Sequence, residues 1–589
     1  MTQLYTVAHM LVEELQARNV AHVFGIPGDY SLGLFKVIEQ SALALIGTCD
    51  EQGAGFAADA YARIRGLGAV AVTYGVGGLK LVNSTAQAYA ERSPVVVISG
   101  APGIGEASND ALLHHRVRDF GTQMRVFREV TVAQCVLDDP RTAQREVRRV
   151  LAAAARHKRP VYIEIPRDCA LATVVADSPE VVPATAPSYD PATLAEALHE
   201  AVGMLNRAQA PIILAGVELH RFGLQDKLIQ LVGKSGIRFA TTIMGKSVVN
   251  EELPGFVGVY AGSLSNEMAR SAVESSDCVL NLGAMLTDLD TGIFTANLDP
   301  AKLIAAGAES LSIRRHFFQG LGLATFLEAL CKADLIARGP LPLSCHAGAA
   351  DFTALRDAPI TVARLFECLD AELSEDVAVI ADPGDALFGA IDLTIHSRSE
   401  FVACAYYASL GFAVPASVAL QLAEPQWRPL VLVGDGAFQM TGMEISTAAR
   451  YGLTPIVVVL DNNGYGTERP MLDGAFNDVH PWAVSQLPAI INAGRGYEVN
   501  TEAEFVAALK SALAETAHLA IIHVHIAQGD ISPALERLTR ELGRRVNTTA
   551  FSVGPTSVGH SCQAASCRSD FSRTFIPEPI TAPSESMSD

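Results

Sequence analysis

Charge of one sign is scarce in this chain. Lys and Arg number 44 against 64 Asp and Glu, so the formal net charge of the 589 residues is −20, and only 18% of them are charged. That balance repels phosphate backbones and sets aside a general nucleic-acid binder. Aromatic residues are also few, at 6% with two Trp, yet 49% of the chain is hydrophobic. The apolar content is therefore mostly aliphatic and ample for large cores, far above that of a disordered chain. Long hydrophobic runs are missing: PVVVISG (94–100) and PLVLVGDG (429–436) stop well short of the roughly 18 residues a membrane span needs. At the N-terminus, MTQLYTVAHMLVEELQ carries acidic residues where a secretory signal would carry a basic segment and a continuous apolar run. None of the ten cysteines forms a CxxC, so neither a zinc site nor a disulfide framework is expected. A reducing cytoplasm is the expected setting, with no membrane partner.

At about 100 to 200 residues per domain, the length predicts three or four domains. One unit recurs along the chain: a short Val- and Ile-rich run, then Gly, Asp or Pro, then a longer Ala- and Leu-rich stretch. Continuous apolar runs are what parallel strands look like when helices cover both faces. They fall into three sets, at 22–28, 69–75, 94–100 and 159–166, then 211–216, 278–284 and 302–307, then 377–385, 429–436, 455–464 and 520–526. Residues 171–191, with four prolines, and 337–352 have the composition of linkers. From about residue 546 the chain is rich in Ser, Thr and Pro without periodicity, and is expected to be disordered. The expected architecture is α/β, with three doubly wound parallel-sheet domains over residues 1–175, 190–338 and 355–545 and a disordered tail at 546–589.

In open parallel sheets, ligands bind just beyond the carboxyl ends of the strands. The third set holds Gly434, Asp435 and Gly436, then 25 residues, then Asn462 and Asn463. Two adjacent parallel strands joined by a helix need about that length, so Asp435 and Asn462 are predicted to converge. A carboxylate and an amide oxygen suit a hard cation such as Mg2+, which takes its remaining oxygens from water and phosphates. Gly434 and Gly436 let backbone amides approach those phosphates closely. GDG after a strand is by itself ordinary turn chemistry. The spacing to the second strand end sets this one apart.

GDG, 25 residues and NN resemble the diphosphate-and-metal motif of the thiamine diphosphate enzymes. The resemblance covers nearly the whole chain outside the tail. It implies that Asp435, Asn462 and the backbone carbonyl of Gly464 hold Mg2+, while the amides of Gly436 and Ala437 meet the diphosphate. It also implies a carboxylate in an apolar pocket beside the aminopyrimidine N1', where a shared proton favours the tautomer that removes the C2 proton. In CDEQGAGFAADAYARIRG that carboxylate is Glu51. Pyruvate decarboxylase and its indolepyruvate and phenylpyruvate relatives carry an Asp after GIPG, a pair of histidines, and a glutamate six residues after the metal-binding Asn. Here these are Asp29 in GIPGDY, His114 and His115 in LLHHRVRD, and Glu468. The four form a set of proton donors and acceptors spanning the range that carbonyl and enamine protonation needs. In YYASLGFAVPA the family's aliphatic wedge beneath the cofactor matches Leu410, while Ala408 departs from a common Gly and Asn463 from a common aromatic.

The activity implied is non-oxidative decarboxylation of a 2-oxo acid to an aldehyde and CO2, through a thiamine ylide and an enamine. The loop ADPGDALFG puts Asp385 among the expected cofactor-binding residues and Leu387 where pyruvate decarboxylases commonly carry Trp. Thr467 stands where they carry Ile, and Met471, three beyond Glu468, is a flexible third wall. Smaller walls leave room for an aromatic ring, so phenylpyruvate or indolepyruvate is the expected substrate. A homodimer is the expected minimal active unit, with Glu51 and Asp435 of one site on different subunits, and dimers pairing into a homotetramer. Two alternatives stay open. A carboligase or oxidase like acetohydroxyacid synthase would keep Glu51 and the GDG-to-NN spacing but lack the histidine pair and Glu468. A catalytically inactive paralogue would have no need of intact Glu51, Asp435 and Asn462.

Overall fold

All of these apolar runs form strands in the computed structural model, which describes residues 5–174, 189–346, 352–396 and 400–551, with side chains in the last helix as far as residue 544. The first sheet holds β1 (His22–Gly25), β2 (Ala44–Gly47), β3 (Gly68–Val72), β4 (Val95–Ala101), β5 (Ala133–Val136) and β6 (Val161–Pro166), in the order β2-β1-β3-β4-β6-β5 with every pairing parallel. The second holds β7 (Pro211–Ala215), β8 (Arg238–Thr241), β9 (Phe256–Val259), β10 (Cys278–Leu282), β11 (Leu303–Gly307), β12 (Ser310–Ile313) and β13 (His316–Phe318), in the order β13-β12-β11-β10-β7-β8-β9. Its β11-β12-β13 edge is antiparallel, which the all-parallel expectation did not include. Only Ala308 and Glu309 separate β11 from β12, and a connection that short closes a hairpin but cannot make a parallel crossover. The third sheet is parallel throughout: β14 (Val377–Ala381), β15 (Phe401–Ala403), β16 (Arg428–Gly434), β17 (Ile456–Asp461), β18 (Arg495–Val499) and β19 (Ala520–His525), in the order β15-β14-β16-β17-β19-β18.

In the first sheet the strand order reverses between β1 and β3, and in the third between β14 and β16. Crevices open beyond the strand ends at such switch points. Asp29 follows β1, Asp385 follows β14, and Asp435 follows β16. The first and third sheets share one core, in which the Glu51–Arg65 helix packs along the Ala413–Ala423 helix. Both helices are rich in Ala, so their backbones approach closely, and Phe56 meets Phe412 edge to face at 5.9 Å. A buried ion cluster crosses the same contact. Arg63 pairs with Asp59 at 2.8 Å and Glu91 at 2.9 Å, and Glu91 accepts the backbone N–H groups of Tyr406 and Tyr407.

The expected linkers at 171–191 and 337–352 fall outside the described residues at 175–188 and 347–351, and the expected tail does so from residue 552. The final helix, Pro533–Phe551, runs past the expected tail boundary at residue 546. Among the described residues no helix is long and apolar enough to cross a membrane, and the eight described cysteines are free.

Candidate active site

β16 and β17 run in register, Gly434 opposite Leu460, so the residues just beyond them are neighbours. Asp435 Oδ1 accepts the Gly436 N–H at 2.8 Å. Asp435 Oδ2 and Asn462 Oδ1 are buried without a hydrogen-bond partner. Burial pushes the Asp435 carboxyl up, the Gly436 N–H opposes that, and the negative charge of Asp461 adds to it. Two orphaned oxygens, one on a carboxyl that pays for its own burial, form a donor set that a hard divalent cation fits. Gly464 has φ +139°, and a Cβ there would lie 2.0 Å from the Asn477 carbonyl, so only glycine places this backbone beside Asn462. Ala437 is buried one residue beyond Gly436.

Glu51 opens its helix directly after the N-cap, Asp50, whose side chain accepts the Gln52 N–H. Its Oε2 lies 2.8 Å from Lys80 Nζ, and Lys80 also pairs with Asp50. The apolar surroundings expected for Glu51 are therefore corrected. Its side chain is only 13% exposed, but the short Val76–Lys80 helix ends beside it and two consecutive carboxylates draw in the lysine. Those contacts raise the Lys80 ammonium, Asp50 more than Glu51. From the third-sheet half, Glu444 accepts the N–H groups of Cys49 and Asp50 at 3.1 Å.

Asp29, His114 and His115 lie together in the chain. His114 Nε2 lies 2.9 Å from Asp29 Oδ2, and the two imidazole rings stand edge to face at 4.6 Å. Tyr30 holds the segment by donating to the His114 carbonyl at 3.2 Å. His115 takes the left-handed φ of 67° and turns a buried, unpartnered Nδ1 inward. Glu468 is exposed in the turn after Tyr465, whose carbonyl accepts its N–H at 3.2 Å. Among the described residues no hydrogen bond or ion pair joins Glu468 to the histidines, or Glu51 to Asp435.

Leu410 is half-buried against the shared core, and Ala408 adopts the left-handed φ of 56° that Gly would take without strain. Asp382, at the end of β14 and fully buried, accepts the N–H groups of Gly411 at 2.9 Å and Ala413 at 2.8 Å, tying down the loop that presents Leu410. Burial pushes its carboxyl up to about 7. Asp385 Oδ2 accepts the Ser532 N–H at 2.7 Å, Oδ1 is buried without a partner, and burial pushes this carboxyl up to about 6. The three expected wall residues do not share a surface. Leu387 is fully buried in the core of the third sheet, Thr467 is half-buried near Gly384, and Met471 is 74% exposed. Lys80, Glu444 and Asp382 escaped the sequence reading. Of these only Asp382 carried a signal, as an acidic residue directly after an apolar run.

The thiamine pyrophosphate enzyme family matches the chain in three stretches: its N-terminal TPP binding domain over residues 5–123, its central domain over 198–333, and its C-terminal TPP binding domain over 386–524. Indole-3-pyruvate decarboxylase of Azospirillum brasilense is 37% identical over 544 residues, covering 91% of this chain and 98% of the relative. An alpha-keto-acid decarboxylase of Mycobacterium avium is 34% identical, covering 91% and 96%, and one of Mycobacterium tuberculosis is 33% identical, covering 93% and 98%. With all three domains matched in order and these relatives aligned over nine-tenths of its length, the chain belongs to the thiamine diphosphate-dependent 2-oxo acid decarboxylases.

Proposed function

We propose that this decarboxylase acts on an aromatic 2-oxo acid, phenylpyruvate or indolepyruvate, releasing the aldehyde and CO2. The observation that carries the site assignment is the pair of orphaned buried oxygens, Asp435 Oδ2 and Asn462 Oδ1, at the ends of two adjacent parallel strands. With the Gly464 carbonyl they would hold Mg2+, and the amides of Gly436 and Ala437 beside Gly434 would take the diphosphate. Thiamine diphosphate, when bound, supplies a nucleophilic carbon and an electron sink for the bond that CO2 leaves. Glu51 would hold a proton at the pyrimidine N1', and Leu410 would support the cofactor from below. Asp385, with one oxygen free, belongs to the same strand-end crevice. Asp29, His114, His115 and Glu468 would move protons to and from substrate and product.

By the family resemblance the active unit would be a homodimer, each site drawing on two subunits, with dimers pairing into a tetramer. On this reading residues 1–175 bind the pyrimidine and 355–545 the diphosphate and metal, with 190–338 as the central domain, and the enzyme works in the cytoplasm. The aromatic preference is supported by Thr467, smaller than the Ile it stands in for, and by the relative named for indole-3-pyruvate. Burying a ring contributes about 1.5 to 3 kcal/mol, enough for roughly tenfold to a hundredfold selectivity. Aldehyde and CO2 release from pyruvate, branched, phenyl and indolyl 2-oxo acids, with O2 consumption followed in parallel, tests the proposal. The expected result is the highest kcat/KM on an aromatic acid, with aldehyde and CO2 in equal amounts and no O2 uptake. Preference for pyruvate would overturn the substrate assignment, and a ligated product or O2 uptake would overturn the reaction.

A further inference from the structure

Four titratable side chains outside the proposed catalytic set meet at the carboxyl ends of β17, β19 and β18. Asp461 ends β17 opposite His525 of β19, and His523 of β19 stands opposite Glu498 of β18. Paired residues of parallel strands point to one face, and His523 and His525 are two apart on one strand, so all four share that face. His523 Nε2 lies 2.8 Å from Asp461 Oδ2, and His525 Nδ1 lies 3.4 Å from the same oxygen. Glu498 Oε1 lies 2.5 Å from His525 Nε2 and 3.5 Å from His523 Nδ1. Asp461 and His523 are almost wholly buried, while Glu498 and His525 open to solvent.

Each imidazole thus faces a carboxylate with both of its nitrogens. A neutral imidazole has one N–H, so in each ring one bare lone pair confronts a carboxylate oxygen. Protons alone would satisfy all four contacts only as two imidazolium rings with centroids 4.4 Å apart, two like charges side by side. One divalent cation on the Asp461 side satisfies them instead: it takes Asp461 Oδ2 and the lone pairs of His523 Nε2 and His525 Nδ1, which leaves the other nitrogen of each neutral ring as an N–H facing Glu498 Oε1.

We propose that Asp461, His523 and His525 form a second divalent-cation site, with Glu498 as the outer partner of both rings, suited to a borderline ion such as Zn2+ and separate from the Asp435 and Asn462 pair. Ligand bonds of about 2.0 to 2.2 Å at tetrahedral angles put donor atoms roughly 3.3 Å apart. Asp461 Oδ2 lies 2.8 Å from His523 Nε2 and 3.4 Å from His525 Nδ1, and the three ligand atoms all lie within 4.8 Å of one another. Two imidazoles favour such an ion over Mg2+, which prefers oxygen donors throughout. The expectation of no zinc site rested on cysteine spacing, and this site uses no cysteine. Glu498, held by the Ser485 hydroxyl, would fix the orientation of both rings, as the outer partners of metal-bound histidines commonly do. Because Asp461 directly precedes Asn462, an ion here would also draw the Asp461 charge away from Asp435.

The test uses the full chain loaded with thiamine diphosphate and excess Mg2+, titrated with Co2+ while the visible bands of tetrahedral cobalt are followed, then with Zn2+ as competitor. The wild type is expected to take up one Co2+ per chain, displaced by Zn2+ but not by further Mg2+. His525→Ala and Glu498→Gln, both at solvent-exposed side chains, should weaken uptake by about tenfold or more while retaining cofactor and Mg2+. Three results would each overturn the site: no uptake, uptake that Mg2+ abolishes, or equal affinity in wild type and both variants.

Discussion

The carboxylate of Glu444 accepts the backbone N–H of Cys49 at 3.1 Å, so a residue of the third-sheet half holds the chain two residues ahead of Glu51. It accepts the Asp50 N–H as well, and Thr447 donates to it at 2.6 Å. The approach is close enough that a Cβ on Gly53 would lie 2.1 Å from Glu444 Oε1. Glu444→Ala removes the charged acceptor of both N–H groups, at exposed Cys49 and half-buried Asp50, and is expected to cost about 1 to 3 kcal/mol in a denaturant titration. Glu444→Gln keeps an acceptor and should lose less. Equal stability of wild type and the Ala variant would show that this contact does not anchor the helix start.

Asp435→Ala removes a proposed cation ligand without touching the strand pairing around it. Apoenzyme titrated with thiamine diphosphate and Mg2+ should show binding weakened at least tenfold, with far-UV circular dichroism unchanged, because the diphosphate then faces its site without a bridging cation. Unchanged affinity would remove Asp435 from the metal site.

Asp382 has a pH signature. Its folded carboxyl is pushed up to about 7 by burial, whereas an unfolded Asp releases its proton near 4. Between those values the folded chain holds one proton more than the unfolded chain, so this group's contribution to stability is full below about pH 4 and is lost as the pH rises to about 7. Asp382→Asn should flatten that part of the stability profile relative to wild type. Parallel profiles for the two proteins would contradict the assignment.

Substrate selectivity now rests on Thr467 more than on Leu387. Leu387 is fully buried among core side chains, so Leu387→Trp is expected to overpack the core at about 1 to 3 kcal/mol instead of narrowing a pocket. Thr467→Ile should move the kcat/KM ratio of phenylpyruvate to pyruvate toward pyruvate. An unchanged ratio would place the pocket wall elsewhere.

The strand runs were legible because buried parallel strands are apolar without interruption, and PIVVVLDNNG shows both the strand and the residues that follow its end. The antiparallel edge of the second sheet was not, since β12 and β13 are short and partly exposed. Asp29 and the histidine pair were found through motif and family resemblance, and the chain itself brings them together. Lys80 beside Glu51 and Glu444 beside Cys49 depend on contacts 29 and 395 residues apart in sequence, and nothing local marks either residue. Leu387 shows the converse: position in a motif named it, but the helix it sits on turns it into the core.

The most direct test of the account is exchange of the cofactor's C2 proton with deuterated water in Glu51→Gln, measured by acid quench and NMR. Glutamine keeps the size but cannot shuttle a proton to N1'. Exchange should fall by about 10^2 to 10^4, toward the upper end of that range, while thiamine diphosphate still binds and the fold survives. In Glu468→Gln and His114→Ala, exchange should persist while aldehyde release slows. Wild-type exchange in Glu51→Gln would contradict the central assignment.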